Sequence, residues 1–242
     1  MSGTVGAPAS GKLGSSLSVV IPVLNESSLI EACLARLAPL RQRGAEILVA
    51  DGGSRDGTPA LAEPLCDRVV HCPKGRAVQM NAGADHANGD VLLFLHADSA
   101  LPEHADGLIL DGLSAEGRHW GRFDVRLSGT HSMLRVVEYL MNLRSRLTGI
   151  ATGDQALFVT RPAFAAAGGF PEIALMEDIA ISTQLKRIGR PLCLRACVTS
   201  SSRRWERDGI LRTIAQMWQL RLRYFLGADP ADLAKSYYRD GN

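Results

Sequence analysis

Short apolar runs alternate with amphipathic stretches over the first hundred residues. Leu17–Val23, Glu46–Ala50, Arg68–His71 and Val91–Leu95 are too short for helices and rich in Val, Ile and Leu, so they predict strands. Between them, Ser27–Leu40 sets Leu29, Ile30, Cys33, Leu34 and Leu37 on one stripe at helical spacing, and Arg76–Ala87 opens a second helix after Gly75. Strands alternating with helices predict a parallel sheet covered on both faces, a Rossmann-like α/β unit. The second half is less regular. Its spacing predicts helices near Pro102–Gly117, His131–Leu147, Glu177–Ile188 and Gly209–Leu226, and strands near Gly121–Leu127 and Ala156–Thr160.

The 242 residues suit a single domain over 17–226. Residues 1–16 are rich in Gly, Ala and Ser without an apolar core, which predicts a flexible N-terminal tail rather than a signal peptide. Gly227–Pro230 breaks the last helix, so 227–242 is expected as a C-terminal tail. A net charge of +2 with interspersed signs gives no footprint for nucleic acid. The apolar runs fall far short of the ~20 residues that span a bilayer, so no transmembrane segment is expected. Trp218, Leu220, Leu222 and Phe225 read as helix packing, with weak peripheral membrane contact as the alternative. The same apolar helix would also serve a homodimer. Five scattered cysteines with no CxxC pair indicate neither a disulfide framework nor a zinc site, and a cytoplasmic location follows.

In a sheet of this kind ligands bind beyond the carboxyl ends of the strands, which singles out Asn25, Asp51, Lys74 and Asp98. The first turn, Pro22-Val23-Leu24-Asn25-Glu26, lacks GxGxxG and so argues against a dinucleotide-dependent dehydrogenase. In Asp51-Gly52-Gly53-Ser54 a carboxylate leaves the sheet beside glycines that permit close approach of a ligand, and the same residues also make a plain turn. His96-Ala97-Asp98 points its first and third side chains to one side. Asp98 can end the strand as a turn residue or bind a hard divalent cation such as Mg²⁺ or Mn²⁺. Glu177-Asp178 opens a helix, where the macrodipole alone favours acids and where either could serve as a general base. Lys74 and Arg76 flank a helix start suited to anions, and Arg203, Arg204 and Trp205 form a cation–aromatic cluster; both groups also suit a solvated face.

Taken in order, Pro22–Glu26, Asp51–Ser54, His96–Asp98 and Glu177–Asp178 resemble the motifs of inverting glycosyltransferase family 2, whose fold is GT-A. That fold is a mixed, mostly parallel sheet with helices on both faces. Gly75–Asn81 and Gly153-Asp154-Gln155-Ala156 resemble a bacterial subgroup associated with arsenosugar biosynthesis. The resemblance implies transfer of a sugar from a nucleotide-diphosphate donor, a UDP-sugar above all, to a small-molecule acceptor. It places Asp51 on the base or ribose, with Pro22, Asn25, Glu26, Gly53, Lys74, Arg76, Asn81 and His96 around the nucleotide. Asp98 takes the metal, Asp178 with Glu177 the catalytic role, and Gly153, Asp154, Gln155, Arg204 and Trp205 the acceptor or diphosphate side. The chain departs from the family pattern at His96 and Gly52, where acids are usual, and at Ser201, where processive synthases carry the glutamine of QxxRW. The alternatives are a non-catalytic nucleotide-sugar-binding protein and a polyprenyl-phosphate glycosyltransferase.

Overall fold

Continuous apolar runs need cover on both sides, and the chain supplies it. In the computed structural model, which describes residues 16–239, these runs form β1 (Leu17–Val23), β2 (Glu46–Asp51), β3 (Arg68–His71) and β4 (Val91–Phe94). β1 pairs in parallel with β2 and β4, and β2 with β3. Val19, Ile21 and Val23 pack with Ile30, Leu34 and Leu37 of α1 (Ile30–Gln42). On the opposite face Val20 meets Ala77, Met80 and Ala84 of α3 (Arg76–His86).

The approach of α3 to β1 depends on Gly83, where an added Cβ would lie 2.3 Å from Val20 Cγ1. Gly83→Ala is expected to destabilise the fold by about 1–3 kcal/mol through overpacking. A lower urea midpoint at unchanged slope would register this loss.

After α2 (Thr58–Ala62) and α4 (Ala105–Glu116) come β5 (Trp120–Leu127), α5 (Ser132–Thr148), β6 (Phe158–Thr160), α6 (Arg161–Ala166), α7 (Glu177–Ile188) and β7 (Leu192–Ser200). The chain continues with α8 (Arg203–Asp208), α9 (Ile210–Phe225) and α10 (Pro230–Arg239). Among the described residues the sheet has seven strands in the order β3-β2-β1-β4-β6-β5-β7. β6 runs antiparallel to β4 and β5, and β7 is parallel to β5. The mixed, mostly parallel sheet with helices is therefore the one expected. β7 was not foreseen. Its register against β5 shifts between Phe123 and Asp124, and its middle residues are only partly buried, so no clean alternation marks it.

Two expectations at the C-terminal end are corrected. The segment read as a tail contains α10, whose Leu233 and Ala234 are buried against Leu220. Asp229 Oδ1 accepts from Ala231 N at 2.8 Å and Pro230 follows it, a helix start that Gly227 conceals. The set read as helix packing points mostly outward: Leu220 is buried, whereas Trp218, Leu222 and Phe225 are exposed. Thr213 and Leu220 define the inward face of α9, and those three side chains project from another side of the helix. α5 also leaves Val136, Tyr139, Leu140, Leu143 and Leu147 exposed. No helix among the described residues is long and apolar enough to cross a membrane. The expected N-terminal tail lies, apart from Ser16, outside the described residues.

Candidate active site

Because β1, β2 and β4 are parallel, the turns that follow them open on one edge of the sheet. Asn25 adopts φ 56°, a left-handed conformation that asparagine tolerates. Its N–H donates to Ser54 Oγ at 2.8 Å and its Oδ1 accepts from Arg55 N at 2.9 Å, which ties the first turn to the second. The Asp51 carboxylate is buried and accepts from Gly53 N at 3.1 Å and from Ser54 N. Gln79 donates from Nε2 to Val23 O at 2.6 Å and Ala50 O at 3.0 Å, joining the ends of β1 and β2. Gln79 also accounts for Gly52: a Cβ there would sit 2.9 Å from its Cδ, so the space of a second acid is already filled.

At the end of β4, Asp98 is exposed and accepts from Ser99 Oγ at 3.3 Å. His96 turns toward the turn at Gly153–Gln155. Its Nδ1 lies 3.9 Å from Asp154 Oδ1, and a Cβ on Gly153 would come within 2.4 Å of its Cε1. Burial, aided by Arg76, lowers the pKa of His96 below the usual histidine range. Ser200 Oγ holds Asp154 Oδ1 at 3.1 Å.

The acids that open α7 face different neighbours. Asp178 accepts from Gly153 N at 3.0 Å through Oδ2 and from Ile179 N at 2.7 Å through Oδ1. The peptide at Gly153 thereby fixes the direction of this carboxylate. Glu177 is buried, with Oε1 3.5 Å from Arg76 Nη1. Burial, and then the neighbouring Asp178, raise its pKa above the ordinary 4.5. The unfolded chain releases this proton near 4.5 while the folded chain still holds it, so stability falls as pH rises from there through the folded pKa. Glu177→Gln removes that penalty. Its thermal midpoint relative to wild type is expected to climb between pH 4.5 and 8; a difference that does not change with pH would count against it.

One cavity of about 230 Å³ is lined by His96, Asp98, Gly153, Asp154, Glu177, Asp178, Arg204 and Trp205. A neighbouring one of about 880 Å³ is lined by Glu26, Lys74, Arg76, Asp98, Arg203 and Arg204. A third, about 680 Å³, runs between Pro22–Glu26 and Lys74–Gln79. Most of the sequence-chosen residues thus meet, with Arg76 common to all three spaces.

Others stand apart. Asn81 exchanges two hydrogen bonds of 2.9 Å with the Phe170 backbone and packs the fold. Gln155 is buried, accepting from Thr152 N at 3.2 Å. Asn25, Asp51 and Gly53 make the hydrogen bonds of the paired turns and do not line these three cavities. The cation–aromatic cluster is also rearranged: Arg204 stacks on Tyr237 of α10, 3.7 Å from its ring centre, and not on Trp205. Sequence reasoning missed Tyr237 and Arg221, which line the cavity beside Asp178. The signal for Tyr237 was the Asp229-Pro230 helix start; Arg221 had no local signal beyond its amphipathic helix.

Among the described residues, no group of three or more His, Cys, Asp or Glu side chains is placed to hold a metal. Asp98 nevertheless offers an exposed carboxylate in the cavity lining, the donor that Mg²⁺ or Mn²⁺ uses together with substrate phosphates. The residues fit a metal that arrives with a diphosphate.

The sheet and the cleft at its carboxyl edge define the GT-A fold of glycosyltransferases. Solved structures agree: the mannosyltransferase PcManGT from Pyrobaculum calidifontis, in complex with GDP-Man and Mn²⁺, aligns with a TM-score of 0.60 at 19% identity over 84% of this chain and 64% of its own. Glucosyl-3-phosphoglycerate synthase from Mycobacterium tuberculosis, in complex with Mn²⁺, UDP and phosphoglyceric acid, aligns at 0.54 with 21% identity, over 76% of this chain and 69% of its own. The family model for glycosyl transferase family 2 matches residues 18–166, more than half of the sequence, and the chain belongs to that family. Among curated relatives, a PGL/p-HBAD biosynthesis glycosyltransferase of Mycobacterium bovis is 38% identical over 96 residues, 36% of each chain. The chain spans about a third of the length of the curated relatives it matches.

Proposed function

We propose that the chain transfers a sugar from a UDP-sugar to a small-molecule acceptor by a metal-assisted displacement that inverts the anomeric carbon. The observation that carries this reading is the single cavity lined by both Asp98 and Asp178, with Asp178 held by the Gly153 N–H. The nucleoside belongs between Pro22–Glu26 and Lys74–Gln79, beside the Asp51 turn. Lys74, Arg76, Arg203 and Arg204 present cations to the diphosphate. Mn²⁺ or Mg²⁺ on Asp98 would add positive charge at the departing diphosphate. Asp178 takes the proton of the acceptor hydroxyl as that oxygen attacks the anomeric carbon from the side opposite the nucleotide. The relatives support a nucleotide donor, since the neighbouring structures carry UDP or GDP-Man with Mn²⁺.

Titration calorimetry with UDP, GDP and dTDP, each with Mn²⁺ and with chelator, tests the donor half. Metal-dependent binding of UDP above the others is the expected result, and binding of none would remove the reading. A retained anomeric configuration in the product would remove the single displacement.

A further inference from the structure

Twelve large apolar side chains stand exposed among the described residues, and most of them share one region. Five project from α5, the set from Val136 to Leu147 noted above. Five more project from α9 and the residue that ends it: Leu211, Trp218, Leu222, Phe225 and Leu226. At about 100° per residue, each set falls within an arc of about 100° on its helix. Such a stripe ordinarily faces a core. Here it faces away from one: the buried Leu134 and Ser145 lie on the opposite side of α5, and the buried Thr213 and Leu220 on the inward side of α9. The two helices are neighbours, since Ile210 and Ile214 of α9 pack on the cluster of Leu127, Leu134 and Val137. Single exposed apolar residues are ordinary, but stripes on adjacent helices mark a surface that is covered in use.

Charge decides what covers it. α9 contains Arg212, Arg221 and Arg223 and no acid. α5 contains Arg135, Arg144 and Arg146 and a single acid, Glu138, which is buried and accepts from Leu127 N at 2.5 Å. Arg212, Gln219 and Arg223 follow the apolar arc of α9 on one flank. Leu, Trp and Phe on one side with arginine beside them is the composition of a helix lying in the plane of a bilayer, its apolar side at the acyl boundary and its cations at the headgroups. A second copy is disfavoured, because an isologous contact would gather Arg212 and Arg223 of both copies into one patch. Residues 1–15 offer only Met1, Val5 and Leu13 as large apolar side chains, too few to cover both stripes.

We propose that α5 and α9 seat the protein on an anionic membrane surface, with Trp218, Leu222 and Phe225 entering the headgroup region and Arg212 and Arg223 meeting lipid phosphates. The inward side of α9 supplies Thr213, Met217 and Arg221 to the cavity that Asp178 lines, so docking sets that cavity about 10 Å, one helix diameter, from the bilayer. The inference stands on this surface alone and does not depend on sugar transfer.

The test sediments the full chain with vesicles of phosphatidylcholine alone and of phosphatidylcholine with phosphatidylglycerol. Binding to the anionic vesicles that is weaker on the neutral ones and falls as salt rises is the expected result. Leu222→Glu combined with Phe225→Glu should weaken it at least tenfold, and Arg212→Gln and Arg223→Gln about fivefold each. Thermal midpoint and UDP binding should stay as in wild type, because none of these side chains is buried. Brominated phosphatidylcholine should quench wild-type tryptophan emission more than that of Trp218→Phe, since Trp120 is wholly buried. Sedimentation with neither vesicle, equal binding to both, or undiminished binding of the double glutamate variant overturns the proposal. So does a dimer in solution that the same variant converts to monomer without any vesicle binding, since the face would then belong to a second copy. UDP binding without vesicle binding removes this inference and leaves the donor reading standing; vesicle binding without UDP binding does the reverse.

Discussion

Asp178→Asn is expected to lower turnover by about 10²–10⁴-fold, the usual contribution of a positioned general base, while UDP binding stays within a factor of about two. The substitution keeps size and an acceptor oxygen for Gly153 N, which donates to Oδ2 at 3.0 Å. It removes the ability to take a proton. The loss should therefore fall on kcat, with the donor KM little changed, as for an interaction made only in the transition state. Glu177→Gln provides the contrast, because Glu177 is turned to Arg76 at 3.5 Å and is buried. If Asp178→Asn retained wild-type turnover, the base would have to be sought elsewhere. Equal losses in the two variants would indicate that the start of α7 acts through its geometry alone.

The second large effect is expected at Asp98. Asp98→Ala should abolish the Mn²⁺ dependence of UDP binding and weaken binding by about a hundredfold, on the scale of the several kcal/mol a metal contributes to charge stabilisation. Asp98 is exposed, and the one side chain seen to donate to it is that of its neighbour Ser99, at 3.3 Å, so its removal leaves the fold intact. The thermal midpoint should stay within a degree or two of wild type. Calorimetry with Mn²⁺ and with chelator separates the outcomes. If UDP binds the variant with undiminished metal dependence, Asp98 is not the ligand. If wild type binds UDP equally in chelator, the arginines around the cavity neutralise the diphosphate unaided. Arg76, Arg203 and Arg204 are placed for that.

The departures from the family pattern have structural counterparts. At Gly52 the room for an acid is taken by Gln79, which bonds Val23 and Ala50 and so holds together the ends of β1 and β2. At position 96 a histidine reaches Asp154 and packs on Gly153, connecting the end of β4 to the turn that orients Asp178. An aspartate there would be too short to make both contacts. Where the family pattern has an acid, this histidine thus links the end of β4 to the turn at Gly153–Gln155.

What the sequence determined by itself is the half of the chain in which local pattern and tertiary role coincide. β1, β2 and β4 are almost wholly buried, so their runs are mostly apolar and their ends are sharp; the polar residues Glu26 and Asp98 then follow at the carboxyl edge. The opening of α7 was legible for the same reason, since an apolar stripe follows Glu177 and Asp178. The remainder was decided by contacts between distant segments. β7 gains its strand character only by pairing with β5 across a bulge. Asn81 bonds the Phe170 backbone and Asp51 the Gly53–Ser54 turn, and the first of these contacts, 89 residues away, left no mark in the local pattern. α10 returns Tyr237 to Arg204, and α9 brings Arg221 to the cavity that Asp178 lines. Periodicity records which side of an element is buried, and it carries no information about which buried or polar side the partner element will present.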